Sequence, residues 1–184
     1  LLNFLKMRTK IFKKIFFVGL GGAGQRHLRI FRSLLSDNVE YSAFRSINKT
    51  PLLNADFSVN NKTLLENKYN LKLFNSIAEG FNNNPDLIVI STPSALHFEV
   101  AREAAERNIN IFIEKPFSNN LKGFNKFKNT VIKNELYFYI SFQRRFHPYL
   151  AKIKTLIKNG RLGKIITANF NVGSYVPEWH PYED

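Results

Sequence analysis

The sequence predicts a doubly wound α/β fold built on a parallel sheet, and three observations carry that reading. Short β-rich runs alternate with longer helical ones, the pattern of parallel strands joined by crossover helices. The runs Ile15–Val18 and Leu87–Ile90 are wholly apolar, as strands buried on both faces should be. Between the first of them and the first helical run stands a glycine-rich turn, Gly19-Leu20-Gly21-Gly22-Ala23-Gly24. The 184 residues, 44% hydrophobic and 22% charged, suffice for one substantial core and are few for two.

Taken in order, the segment 26–36 places Leu28, Phe31, Leu34 and Leu35 at helical spacing and leaves Arg26, Arg29 and Arg32 for the outer face. A second strand is expected over 39–45. The stretch 46–69 is rich in Asn, Ser, Thr and Lys and contains Pro51, so it reads as a loop with some weak helix. A short third strand is expected over 71–74. The turn Pro85-Asp86 introduces the fourth at 87–90, followed by an Ala- and Glu-rich helix over 95–107, a fifth strand over 110–113, a Lys-rich helix over 121–134 and a sixth strand over 136–142.

Pro148 can open a further helix, striped by Leu150, Ile153, Leu156 and Ile157 and ended at Asn159-Gly160. From Lys164 to Tyr175 polar and apolar residues alternate, which predicts a long strand unlike the buried ones before it. That strand reads as the start of a second, α+β domain. The expected organisation is a tail over 1–12, a nucleotide-binding domain over 13–145, and over 146–184 a linking helix and the first strand of an incomplete domain. A strand with no partner in sequence should be poorly packed or pair with another chain.

Composition narrows the function classes. No apolar run approaches the roughly 18 residues of a membrane span, and Leu1–Leu5 is too short for a signal-peptide core. With no cysteine there is no disulfide framework and no thiolate chemistry, which fits a reducing cytoplasm. No metal-ligand spacing stands out. The net charge of +13 raises nucleic acid as a partner, but the basic residues are spread along the chain without a stripe or an aromatic-interleaved patch. Nucleic-acid binding is therefore set aside. Met7, the single methionine, lies just before the first strand run, so translation starting there would leave Leu1–Lys6 as read-through; a genuine disordered extension is the other reading.

The glycine turn matches G-x-G-x-x-G, and its context gives the match weight: it follows a buried strand and opens an amphipathic helix. Gly19 would allow the tight turn, Gly21 would let a pyrophosphate approach the backbone, and Gly24 would let helix and strand pack closely. Leu20, Gly22 and Ala23 complete the loop, and the helix N-terminus offers N–H groups and partial positive charge to phosphates. At the end of the second strand, where an acid would accept a hydrogen bond from the ribose 2′-hydroxyl of NAD, stand Arg45 and Ser46, with Arg45 26 positions after Gly19. An arginine there can pair with a 2′-phosphate or stack on adenine, which favours NADP over NAD; an arginine pointing into solvent is the alternative.

Two further motifs, Ser91-Thr92-Pro93-Ser94-Ala95-Leu96-His97 and Glu114-Lys115-Pro116, join the glycine turn. Read together, these segments resemble the Gfo/Idh/MocA oxidoreductases, the family of glucose-fructose oxidoreductase and inositol dehydrogenase, from about residue 14 to 184. The resemblance implies a Rossmann domain, an NAD(P) cofactor, a small sugar-type substrate and a homo-oligomeric full-length enzyme. It implies that Lys115 is the catalytic or substrate-positioning residue near the nicotinamide. Glu114 would orient Lys115 or hydrogen-bond the cofactor. Ser91, Thr92, Pro93 and His97 would line the dinucleotide crevice.

The segment 142–148 resembles the family's passage into its second domain. Arg145 and His147 within it are candidates for a phosphate, nicotinamide or substrate contact, or for a domain-junction salt bridge. Gly173-Ser174-Tyr175 with Trp179-His180-Pro181 resembles the branch found in surface-sugar biosynthesis, where Trp179 and His180 would face the cleft. The resemblance implies hydride transfer to or from a carbinol carbon of a sugar or nucleotide-sugar; a non-catalytic dinucleotide-binding module is the alternative. One departure stands out. Most members carry Asp-x-x-x-His on a second-domain helix, and none of Asp37, Asp56, Asp86 or Asp184 has a histidine four residues on. This chain is therefore expected to be truncated and to lack that proton-transfer partner.

Overall fold

A computed structural model describes residues 12–45 and 51–173. It divides into two compact units, whose described parts are residues 12–45 with 51–141, and residues 142–173.

The first unit is built on a parallel sheet of six strands: β1 (Lys14–Val18), β2 (Glu40–Phe44), β5 (Lys72–Leu73), β6 (Leu87–Ile90), β7 (Asn110–Ile113) and β8 (Phe138–Ile140), in the spatial order β5-β2-β1-β6-β7-β8. The chain works outward from β1 to one edge, then returns to β1 and works outward to the other. β1 is thus flanked by β2 (Phe17 beside Ala43) and by β6 (Phe17 beside Val89). This reversal is the switch point at which doubly wound sheets open a crevice at their carboxyl ends.

The wholly apolar strand runs follow from a sheet covered on both faces. Phe16, Val18, Ile88, Ile90, Ile111 and Ile113 face one core, with Phe98, Ala101 and Ala104 of helix α4 (His97–Glu106) and Phe127 of α5 (Phe124–Lys133). Ile15, Phe17, Leu87 and Val89 face the other, with Leu28 of helix α1 (Gly22–Leu34), Tyr41 and Ala43. β1 therefore sends alternate side chains into two different cores, the period-2 geometry of a strand used on both sides.

Two short elements depart from the expected loop at 46–69. β3 (Leu52–Leu53) and β4 (Val59–Asn60) form an antiparallel hairpin, with Leu52 opposite Asn60. Its turn is closed by Asp56, whose carboxylate accepts hydrogen bonds from the backbone N–H and the hydroxyl of Ser58. The expected weak helix is α2 (Leu65–Tyr69), which ends at Asn70 in the left-handed region with φ 47°.

Helix α3 (Ile77–Asn82) was not anticipated. Its signal was present: the Ser76 hydroxyl accepts from the Glu79 N–H, and the Glu79 carboxylate accepts from the Asn75 N–H. Ser-x-x-Glu is the capping-box spacing, with the return bond reaching one residue further back than usual.

The second unit holds a 3₁₀ turn (Gln143–Phe146) and helix α6 (Pro148–Lys158). The His147 imidazole caps α6 by accepting from the Tyr149 N–H at 3.3 Å. The strand expected from Lys164 to Tyr175 does not form over 164–173, and its last two residues lie outside those described. Alternation alone cannot make a strand: the backbone groups need a partner, and the described residues of this unit offer none.

Gly80 of α3 packs face-on against Phe16, and a Cβ there would stand 2.0 Å from the ring. Phe16 is fully buried at the centre of the sheet and cannot swing aside. Gly80→Ala should therefore lower the unfolding free energy by about 1–3 kcal/mol, measured as a lower urea midpoint at constant m-value. An unchanged midpoint would show that the contact relaxes freely.

Candidate active site: a glycine-lined cleft at the carboxyl ends of β1, β2 and β6

The end of β1 is crowded by design of the backbone. Gly19 adopts φ +93°, and a Cβ on it would lie 2.8 Å from the carbonyl of Ser91 at the end of β6. A Cβ on Gly24 would lie 2.5 Å from the Gly19 oxygen and 2.6 Å from Ser91 Oγ. That hydroxyl donates to the Gly19 carbonyl at 2.8 Å, closing the contact. Gly21 is different: nothing stands within 4 Å of where its Cβ would be. Two glycines are thus needed for internal packing, while the third borders open space.

Gly21 is also the N-cap of α1, which has no side-chain cap and no acid in its first turn. The helix end therefore presents its partial positive charge outward, an anion-binding arrangement. Behind the loop, fully buried Gln25 donates to the carbonyls of Leu20 (3.0 Å) and Pro51 (2.8 Å) and accepts from the Leu53 N–H (2.8 Å). The loop is thereby tied to β3 and cannot relax independently.

A cleft of about 530 Å³ opens here. It brings together Gly19, Leu20, Gly21, Arg45, Ser91, Thr92 and Pro93, seven residues that sequence reasoning had assigned to one site. Leu20 contributes mainly by anchoring, since its side chain is buried in the core. Glu99, Arg102 and Glu103 of α4 also line the cleft, and no sequence motif had marked them. The Thr92 hydroxyl is buried without a hydrogen-bond partner. Open space at Gly21, an uncapped helix end and this unpaired hydroxyl fit a phosphate-bearing dinucleotide.

His97 and Glu114 lie next to the cleft as braces. The His97 ring is buried, with Nδ1 2.7 Å from the Pro116 carbonyl and Nε2 2.8 Å from the Thr92 carbonyl. It joins the loop after β6 to the loop after β7. Glu114 is buried at the end of β7. One carboxylate oxygen meets His27 Nε2 at 2.6 Å and Arg26 at 3.4 Å, and the other accepts the Lys115 N–H at 3.1 Å. Burial works against its ionisation, but the bond and field of His27, the Lys115 N–H and Arg26 outweigh that and hold the carboxyl below its usual range.

Sequence reasoning missed His27. It stands three residues after Gly24, one turn into α1, and its partner is 87 residues away. Lys115 itself is exposed, beside a cis peptide to Pro116, and is not among the residues lining the cleft.

Arg45 is largely buried, and its guanidinium donates to Glu66 of α2 at 3.2 Å. Gly22 and Ala23 form the first turn of α1. Ser46, Trp179 and His180 lie outside the described residues. Arg145 and His147 belong to the second unit, Arg145 in the 3₁₀ turn and His147 as the α6 cap. Among the described residues no helix is long and apolar enough to cross a membrane, and no three metal-ligating side chains cluster.

Comparison with known proteins agrees with this architecture. The YrbE protein of Bacillus subtilis, an uncharacterized oxidoreductase, is 40% identical over 78 residues, 42% of this chain and 23% of that protein. The NAD(+)-dependent scyllo-inositol 2-dehydrogenase of the same organism is 33% identical over 81 residues, 44% of this chain and 24% of that protein. The chain thus spans about a quarter of the length of these relatives. Among solved structures, apo scyllo-inositol dehydrogenase from Lactobacillus casei shares the fold with a TM-score of 0.70 at 21% identity, covering 85% of this chain and 44% of that one. The WlbA dehydrogenase from Bordetella pertussis, in complex with NADH and UDP-GlcNAcA, does so with a TM-score of 0.69 at 22% identity, covering 85% and 42%. Residues 13–142 match the Gfo/Idh/MocA family model, described as an oxidoreductase family with an NAD-binding Rossmann fold, and the chain belongs to that family.

Proposed function

We propose that the cleft binds a nicotinamide dinucleotide and that the protein transfers a hydride between it and a carbinol carbon of a sugar or nucleotide-sugar. The observation that carries this reading is the open space over Gly21 at the start of α1, which has no side-chain cap and no acid in its first turn. Backbone N–H groups there take the pyrophosphate, beside the Thr92 and Pro93 wall of the cleft. Arg45 alone would favour the 2′-phosphate of NADP. In the fold it is paired with Glu66, so the choice between NAD and NADP rests on that pair.

When bound, the nicotinamide ring supplies the hydride acceptor or donor. The chain's own contribution is to hold and move the proton. Lys115 stands exposed at the carboxyl end of β7, next to the central β6, and is the residue we assign to the substrate hydroxyl. Glu114 fixes the Lys115 backbone and is itself fixed by His27, so the lysine departs from a rigid strand end. His97 holds the neighbouring loop at Pro116. The sugar-type substrate follows the family resemblance and the scyllo-inositol 2-dehydrogenase relative, and carbohydrate or surface-polysaccharide metabolism in the cytoplasm is the setting we propose. A homo-oligomeric enzyme is part of the same reading.

Three measurements test it. Gly21→Val adds a side chain into open space, so it should leave the thermal midpoint intact while abolishing binding of NADH and NADPH in isothermal titration. Retained affinity would remove the glycine loop from the site. In the complete enzyme, Lys115→Ala should lower turnover by about 10²–10⁴-fold with little change in cofactor affinity; a loss under tenfold would make Lys115 structural. The third concerns Glu114. Its carboxyl ionises below the usual range when folded, so the brace contributes stability at neutral pH that is lost as pH falls through that range. Between about pH 5 and 3, wild-type stability should fall more steeply than that of Glu114→Gln. Parallel curves would show the brace to be unlinked to protons.

A further inference from the structure

The end of β2 carries a cation where a dinucleotide fold needs a decision between a hydroxyl and a phosphate. Arg45 lines the main cleft together with Gly19 and Gly21, and it also lines a second cavity of about 330 Å³ with Glu66, Leu73, Phe74 and Asn75. Arg45 is thus shared by the two cavities, and Glu66 lines the second of them at the end of β2. The members of this ion pair are unequally exposed, 11% for the Arg45 side chain and 26% for that of Glu66, so the carboxylate is the more accessible of the two.

Glu66 is held there by backbone. Its carbonyl accepts from the N–H groups of Asn70 and Leu71 as α2 turns into β5, and β5 pairs with β2 at Ala43 and Leu73. Leu65 beside it is buried in the core. The carboxylate is thus delivered to the strand end by a fixed turn rather than by a loose loop.

We infer that Glu66 is a specificity-determining residue, supplying from α2 the carboxylate that β2 lacks and biasing the site toward the 2′-hydroxyl of NAD and against the 2′-phosphate of NADP. This rests on the dinucleotide reading of the cleft. The chemistry has two parts. A ribose hydroxyl donates to a carboxylate and can do so while Arg45 stays paired. A 2′-phosphate carries about −1.5 to −2 charges, so it must draw Arg45 away from Glu66 and then sit beside a like charge. Arg45 is the group that admits the phosphate, and Glu66 is the group that opposes it.

The test is isothermal titration of NADH and NADPH against the wild-type chain, Glu66→Gln and Arg45→Gln, with circular dichroism to confirm folding. Glu66→Gln keeps the size and removes the charge. It should move the ratio of the two dissociation constants toward NADPH by about tenfold or more, the order expected for one charge beside a phosphate in a partly screened site. Arg45→Gln, which leaves the carboxylate unopposed, should move the ratio toward NADH by a similar factor and keeps the inference testable if the first variant does not fold. An unchanged ratio overturns the inference, as does equal weakening of both cofactors, which would make the pair a structural brace. If the wild-type chain binds neither dinucleotide, the reading of the cleft falls and this inference falls with it.

Discussion

The fold depends on one close approach, between the turn after β1 and the end of β6. Gly19, Gly24 and Ser91 meet where no side chain larger than a hydroxyl fits, and the Ser91 hydroxyl is itself used to bond the Gly19 carbonyl. That contact lets α1 begin directly above the sheet, so its N-terminus faces the crevice left by the reversal of strand order between β1 and β6. A Cβ at Gly19 or Gly24 would push the helix off the strands and close that geometry. The site is therefore a consequence of packing before it is a consequence of any polar group.

The second organising feature is a set of buried polar side chains that fasten loops rather than contact ligands. Gln25 holds the glycine loop to the β3 hairpin, His97 joins the loops after β6 and β7, and Glu114 binds His27 while fixing the Lys115 N–H. Burying such groups is costly unless each is satisfied, so a satisfied network admits few alternative arrangements. The Thr92 hydroxyl stands apart, buried at the cleft with no hydrogen-bond partner.

What was legible in the sequence was whatever a local pattern could encode. The runs at 15–18, 87–90 and 111–113 named their strands because a two-faced sheet demands unbroken apolar residues. The glycine turn named its cleft because it sat between strand and helix. The hairpin at 52–60 was hidden in polar residues, its strands only two residues long and closed by an Asp56 turn. Helix α3 is signalled only by its capping residues, and the alternation after Lys164 predicts a strand that needs a partner to exist. His27 and Glu66 could not have been found by spacing, because their significance lies in partners 87 and 21 residues away that only the fold brings together.

This difference also explains how the cleft divides recognition. On the proposed reading, backbone groups at the end of α1 take the pyrophosphate, and every nicotinamide or adenine dinucleotide offers the same charge there. Discrimination must then come from side chains, and two sets of these stand at different strand ends. Arg45 and Glu66 meet at the end of β2, toward the sheet edge formed by β5. Glu114 and Lys115 stand at the end of β7, on the other side of the β1–β6 crevice. The two pairs thus stand at different strand ends, the first lining the cleft through Arg45 and the second lying next to it. On the dinucleotide reading proposed above, a change at the Arg45–Glu66 pair alters which dinucleotide fits while Lys115 stays at the end of β7, with β1 and β6 standing between the two strand ends.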